Sequence, residues 1–143
     1  MNMTRLSPLI CIYGMHNAPG LSVGSFATRK GAQLGSADVF AIHVEGKGSH
    51  AAEPHKGFTL VVGANILLAL QSIVARNLDP LKAGVVTVGA IRGGTAANVI
   101  PQTAELRGTV RSLDPEVRDL LERRVREVTH GIAAAYGTKP PVR

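Results

Sequence analysis

The sequence predicts an α+β domain with a ferredoxin-like antiparallel sheet and two helices on one face, in the order β-α-β-β-α, with a final strand truncated or missing. Two stretches, 38–46 and 102–113, alternate apolar and polar side chains at the period of a strand, and 83–91 reads as a further strand between them. Two longer stretches carry the period and composition of helices, at 58–78 and from Asp114 to about Gly137. The second face of 102–113 is strongly polar, so the sheet is expected to be covered on one side only.

The elements follow in order. Residues 14–24, GMHNAPGLSVG, carry Gly14, Pro19, Gly20 and Gly24 and read as loop. SFATRKGAQLG continues as a short strand or extended arm, with turns at Lys30-Gly31 and Gly35. In DVFAIHVEG, Phe40, Ile42 and Val44 share one face, and Ala41, His43 and Glu45 the other. FTLVVGANILLALQSIVARNL is helical and apolar nearly all round, with Asn65, Ser72 and Arg76 on one narrow side, so it is buried on more than one face or covered by a partner. Pro80 ends it. AGVVTVGAI is the second strand and leads into the turn RGGTAAN. In the third strand Ala104, Leu106, Gly108 and Val110 oppose Glu105, Arg107, Thr109 and Arg111. Asp114-Pro115 supplies an N-cap and a first-turn proline. Val117, Leu120, Leu121, Val125, Val128 and Ile132 then form an apolar stripe. Arg118–Glu122, Glu122–Arg126 and Arg123–Glu127 are spaced as helical ion pairs, and Gly137 suits the C′ position.

Composition bounds the function. The 143 residues suit one domain. Aromatic residues are 3% with no Trp, so the core must be aliphatic and base-stacking platforms are lacking. The formal charge of +6 is scattered and interleaved with Glu, which reads as a solvated surface rather than a nucleic-acid footprint. The single Cys11 allows no internal disulfide and no multi-cysteine zinc site, and a cytoplasmic location is expected. No segment is expected to span a membrane, and the N-terminal stretch lacks a signal-peptide h-region.

The chemistry-bearing residues are few. The histidines are His16, His43, His50, His55 and His130, and none shows the spacing of a complete metal site. Cys11 lies in an apolar stretch that would keep its thiol inert. Ser49 and His50 are adjacent and would point opposite ways in an extended segment. What remains is a recognition set: His50 at a strand end, Asn98 in a glycine-rich turn, and Arg107 and Arg111 on an open polar face. Arg offers a fork for a carboxylate, and His and Asn can donate to a developing oxyanion. From the residues alone, a turn-capping Asn98 and solvated arginines are the favoured reading over a binding set.

These residues lie in motifs that carry a resemblance. VEGKGSHAAEPHKG, ALQSIVARNLDP and VVTVGAIRGGTAANVIPQTAELRGTVRSLDPEVRD, in that order, closely resemble the lid, or dimerisation, domain of the aminoacylase and carboxypeptidase-G-like metallopeptidases. The branch they look like is that of the hippurate hydrolases and indole-acetyl-amino-acid amidohydrolases. YGMHNAPGLSVGSFATRKG resembles the last catalytic-domain segment before that lid. The resemblance implies an arm at 1–36, a remnant of the catalytic domain, and a lid domain at 37–143. It implies His50 as the catalytic oxyanion donor to a partner subunit, Asn98 and Arg111 as binders of the substrate carboxylate, and His16 as a metal ligand. It further implies a divalent metal pair (zinc, manganese or cobalt) in the full-length family, a homodimer, and a small-molecule N-acyl amino acid substrate, with no nucleic acid or membrane partner. MNMTRLSPLI does not resemble the family, the other metal-ligand segments are absent from the sequence, Ser49 replaces a usual glycine and Ala18 a frequent Trp. The chain alone is therefore expected to bind no metal stably and to hydrolyse nothing. The alternative is a stand-alone ferredoxin-like module binding a small anionic ligand or nucleic acid.

Overall fold

The structure is a computed structural model and describes residues 14–139. Residues 14–37 contain turns and bends but no helix or strand, so the extended-arm reading holds there and the short-strand reading does not. Gly20, Gly24 and Gly31 all take positive φ, which accounts for the repeated reversals.

β1 spans Asp38–Glu45, β2 Ser49–His50, α1 Thr59–Asn77, β3 Gly84–Arg92, β4 Val99–Ile100, β5 Thr103–Ser112 and α2 Pro115–Ala135. The main sheet has the order β1-β5-β3, antiparallel throughout. Antiparallel pairing puts the last strand between the first two, because a right-handed crossover through α1 carries β3 past the place that β5 later fills. A bulge at Gly89 shifts the register between Val88 and Ala90. β2 and β4 form a separate two-stranded ribbon, which the sequence reading did not foresee.

Both helices pack on the same face of the sheet. Ile42 and Val44 of β1, Val86 of β3, and Ala104, Leu106 and Val110 of β5 meet Val62, Ile66, Leu70 and Ile73 of α1 and Val117, Leu121 and Val125 of α2. This is the expected one-sided sheet, and the aliphatic core is the expected one. Gly108 lets the Phe40 ring and the Thr87 carbonyl close over β5, where a Cβ would collide with both.

α1 corrects one expectation. With 19 residues and a mean hydropathy of 1.6, it is long and apolar enough to cross a membrane by length and composition. Its inner face nevertheless belongs to the domain core, with Val62, Ile66, Leu70 and Ile73 fully buried. Asn65 and Gln71 donate back to the carbonyls of Val61 and Leu67, which lowers the polarity of their side chains on an otherwise apolar surface. Its outer face leaves Val61 51% and Leu68 68% exposed.

α2 begins as expected: the Asp114 carboxylate accepts from Glu116 N–H at 2.9 Å, with Pro115 in the first turn. It ends in a Schellman closure at Gly137 (φ +64), with Thr138 N–H and Gly137 N–H donating to Ala133 and Ala134 carbonyls at 3.0 Å. Only one of the three expected helical pairs forms as read, Glu122–Arg126 at 3.0 Å. Arg118 turns to Asp38 of β1 in a two-pronged bond of 2.5 and 2.8 Å, and Arg124 rather than Arg123 takes Glu127. A carboxylate across the domain, presented to both arms of the guanidinium, outcompetes one on the next helical turn.

The Arg118 fork holds Asp38 below the usual carboxylate range, and Lys82 does the same for Asp114. Depressed native values mean stability that is present above pH ~4 and lost as pH falls through the native values. Acid titration followed by circular dichroism should therefore show unfolding on the acid side, and Asp38→Asn should flatten that dependence while lowering stability at neutral pH. Leu106→Ala should cost about 2–5 kcal/mol in chemical denaturation, as expected for a leucine deleted from a filled core.

Candidate functional site

The run GKGSHAAEPH reads as a loose corner in the sequence, but the structure pins it. Gly46 N–H donates to the Gln102 carbonyl at 2.9 Å, extending the β1–β5 ladder one residue. Thr59, fully buried at the start of α1, shares its hydroxyl hydrogen between the Gln102 and Lys47 carbonyls at 3.3 and 3.5 Å. At Gly57 a Cβ would lie 2.6 Å from both the Lys47 carbonyl and Ser49 Oγ, so the chain there accepts no side chain without moving.

Beyond this anchor, β2 pairs with β4 through Ser49↔Ile100 and His50↔Val99. Ala51 N–H donates to the Asn98 carbonyl at 3.0 Å, Glu53 N–H to the His50 carbonyl at 2.8 Å, and Ser49 Oγ to the Glu53 carbonyl at 3.3 Å. Pro54–Lys56 then form a single 3-10 turn that leads back to Gly57. His50 and Asn98 thus sit at the tip of one short ribbon, both exposed.

The His50 ring is oriented by its own backbone. Ala52 N–H donates to His50 Nδ1 at 3.1 Å. An acceptor Nδ1 on a neutral imidazole places the ring hydrogen on Nε2. His50 therefore presents one N–H donor to solvent, the form needed to meet a developing negative charge. Sequence reading found His50 but missed the role of Ala52, since a backbone N–H leaves no trace in residue type.

Arg111 stands elsewhere. It lies exposed on the polar face of β5, opposite Val85, and makes no ion pair among the described residues. The run from Thr103, beside the ribbon, to Arg111 spans roughly 26 Å of strand. One chain therefore does not bring Arg111 to His50 and Asn98. Arg107, on the same face, is held by Glu105 at 3.0 Å, which lowers the Glu105 carboxyl below its ordinary range. His43 lies 3.8 Å from the same carboxylate. His55 and His130 are exposed, and Cys11 lies outside the described residues.

His16 is exposed in the arm, its Nδ1 2.7 Å from the Asn17 carbonyl. A carbonyl can only accept, so Nδ1 carries the hydrogen and Nε2 keeps a lone pair suited to a metal. Among the described residues, however, no three His, Cys, Asp or Glu side chains lie close enough to share a metal ion. One imidazole does not hold a metal pair, so these residues do not fit that group by themselves and no chemical step is routed through it.

The fold and the ribbon define a one-sided α+β domain that presents a pinned ribbon tip and an apolar helix face. Comparison with known proteins agrees. Residues 33–136 match the family described as peptidase dimerisation domain, and the chain belongs to this family, the dimerisation domain of M20 peptidases. It is 42% identical over 140 residues to N-acetyl-L-cysteine deacetylase of Bacillus subtilis (strain 168), covering 97% of this chain and 34% of that protein. It is 43% identical over 133 residues to N-acetyldiaminopimelate deacetylase of Bacillus pumilus (strain SAFR-032), covering 92% of this chain and 35% of that one. The chain thus spans about a third of the length of these relatives. Among solved structures, it superposes with a TM-score of 0.73 at 31% identity on a putative aminohydrolase from methicillin-resistant Staphylococcus aureus, covering 77% of this chain and 30% of that one. A Bacillus subtilis protein described as a dinuclear metal binding peptidase gives a TM-score of 0.66 at 31% identity, covering 87% and 30%. The expected family is the observed one at this level.

Imidazole nitrogen chemical shifts should show His50 as the Nε2–H form at neutral pH, a direct check on the Ala52 bond. Gly57→Ala should raise amide exchange across Ser49–Ala52 and Asn98–Ile100 while leaving the centres of α1 and α2 protected.

Proposed function

We propose that this chain is the dimerisation, or lid, portion of a metal-dependent amidohydrolase acting on N-acyl amino acids, and that it pairs with a second copy. The observation that carries this is the His50 ring, held by Ala52 so that a single N–H points outward from a pinned ribbon with Asn98 beside it. A donor fixed at that point, with no three metal-ligating side chains gathered among the described residues, suits a site completed by another body. The amide carbonyl oxygen gains negative charge as it is attacked, and His50 Nε2–H stabilises that charge without itself changing protonation. Asn98 and Arg111 bind the substrate carboxylate, and their separation within one chain means that different subunits supply them to one site. His16 belongs to the catalytic-domain remnant, 1–36, as one ligand of a metal pair completed by residues of a full-length enzyme. In such an enzyme the metals supply the activated water.

Pairing through α1 is supported by its outer face, where Val61 and Leu68 stand exposed, and by the neighbouring Ile91 of β3 at 46% exposure. Apolar surface of this kind on a helix and an adjoining edge strand favours a covered state. The acyl group is proposed as small, because the relatives above are named as deacetylases. A hippurate-type benzoyl group is the finer option, and a cytoplasmic setting accompanies either.

In a full-length enzyme carrying this lid, His50→Ala should lower kcat by about 10²–10³ with little change in KM, the loss typical of one oxyanion donor. Arg111→Ala should mainly raise KM. Comparing N-acetyl and N-benzoyl amino acids as substrates separates the two acyl readings. The 143-residue chain alone, given hippurate and zinc, cobalt or manganese, should show no turnover, and measurable turnover would overturn the proposal. Sedimentation should show a dimer that Leu68→Asp disperses.

A further inference from the structure

The single outward N–H of His50 depends on one bond, from Ala52 N–H to His50 Nδ1 at 3.1 Å. Donor and acceptor lie two residues apart, so the chain must reverse between them. It does so in a turn over His50–Glu53, closed by Glu53 N–H on the His50 carbonyl at 2.8 Å. The residues of this turn give it little support. Its central pair, Ala51 and Ala52, contains no Pro, Gly, Asn or Asp, and its first residue is not Asp, Asn or Ser. Both alanines are exposed, so packing does not hold them either.

Ser49 supplies a hold from beneath. The ribbon register, Ser49↔Ile100 and His50↔Val99, sends the two side chains to opposite faces. His50 goes outward and is exposed, and Ser49 goes inward and is half-buried. The Ser49 hydroxyl oxygen lies 3.3 Å from the Glu53 carbonyl and 3.4 Å from the His50 carbonyl. A hydroxyl has one hydrogen to give, and here it is shared between the carbonyls at the two ends of the turn. The His50 carbonyl already accepts from Glu53 N–H, and the Glu53 carbonyl from Lys56 N–H at 3.0 Å, so each end is fixed from two sides. The hydroxyl fits because buried Gly57 leaves it room: a Cβ there would lie 2.6 Å from Ser49 Oγ and 3.1 Å from Ile100 Cγ2.

We propose that Ser49 is a positioning residue for His50. By tying both ends of the turn, its hydroxyl keeps Ala52 N–H on Nδ1, and an acceptor Nδ1 keeps the ring hydrogen on Nε2, aimed outward. Thr59 does not share this role, because its bonds go to the Lys47 and Gln102 carbonyls at the base of the ribbon, outside the turn. Ser49 touches no substrate in this role and acts only through the His50 ring. The consequence for reaction rate rests on the oxyanion reading of His50 given above, whereas the consequence for the ring itself does not.

Ser49→Ala removes the hydroxyl and little else. In the 143-residue chain, amide exchange of Ala52 should quicken by about fivefold, the effect of losing one ordinary hydrogen bond. Gly46 and Ala51, bonded to the Gln102 and Asn98 carbonyls, should keep their rates, as should α1 and α2. Nitrogen shifts of the His50 ring should move toward the tautomer mixture of a free histidine. In His50→Ala the Ala52 amide has lost its acceptor, so adding Ser49→Ala should not quicken it further, and this non-additivity separates positioning from general stiffening. In a full-length enzyme carrying this lid, Ser49→Ala should lower kcat about two- to fivefold with KM unchanged, well short of the loss from His50→Ala. The proposal is overturned if Ser49→Ala leaves Ala52 exchange and the ring shifts as they were, or if it quickens Ala52 equally with and without the His50 ring. It is also overturned if His50→Ala lowers kcat and Ser49→Ala does not. If His50→Ala itself leaves kcat unchanged, the oxyanion reading fails, and the exchange and ring measurements still decide the role of Ser49.

Discussion

Burial of β5 is the constraint on which the rest of this domain depends. Among the described residues it is the one strand of the main sheet with a neighbour on each side, and its even-numbered side chains lie under both helices. Leu106 and Val110 therefore serve two purposes at once: they satisfy the hydrophobic core and they fix the register of β1 and β3, because a slip by one residue would turn Glu105 and Arg107 into the helices. The polar residues of the opposite face gain their exposure from the same alternation. Asp38–Arg118 and Lys82–Asp114 then tie α2 to the sheet at the points where the strands end and the helix begins.

The ribbon that carries His50 inherits its rigidity from this arrangement. Gln102, one residue before β5, accepts from Gly46 and from Thr59, so the end of β1, the start of β5 and the first turn of α1 meet at one carbonyl. At Gly46 the Thr59 side chain, and at Gly57 the Lys47 carbonyl and Ser49 Oγ, occupy the space a side chain would need. A side chain held in place before it meets a ligand avoids the ordering cost that would otherwise be subtracted from affinity. The ribbon provides such a hold with backbone bonds and the hydroxyls of Ser49 and Thr59.

The domain thus separates its tasks by surface. The inner sheet face is core, the outer sheet face is polar and carries Arg107 and Arg111, the ribbon tip carries His50 and Asn98, and the outer face of α1 is apolar. This separation is what a domain belonging to the peptidase dimerisation family requires, because association and reaction make opposite demands on a surface: one favours dry apolar area, the other fixed polar groups.

Much of this was legible in the sequence because two periodicities do not overlap. Alternation at two residues identified β1 and β5, and a stripe at three to four identified α2, with Asp114, Pro115 and Gly137 marking its ends. His50, Asn98 and Arg111 were visible by residue type and motif. The two-residue strands β2 and β4 were not, since a single pair of residues has no period. Nor were the partners of Arg118 and Arg124, because long side chains choose among carboxylates that only the packing of helix on sheet brings within reach. The apolar run of α1 admitted burial on more than one face or cover by a partner, and only the packing shows its inner face in the core and Val61 and Leu68 left exposed. Sequence by itself determined the elements, their faces and the residue types available for chemistry, because these follow from local geometry and side-chain polarity. Tertiary structure alone decided which nitrogen of His50 points outward and that Arg111 stands far from it, because each depends on backbone groups and on residues distant in the chain.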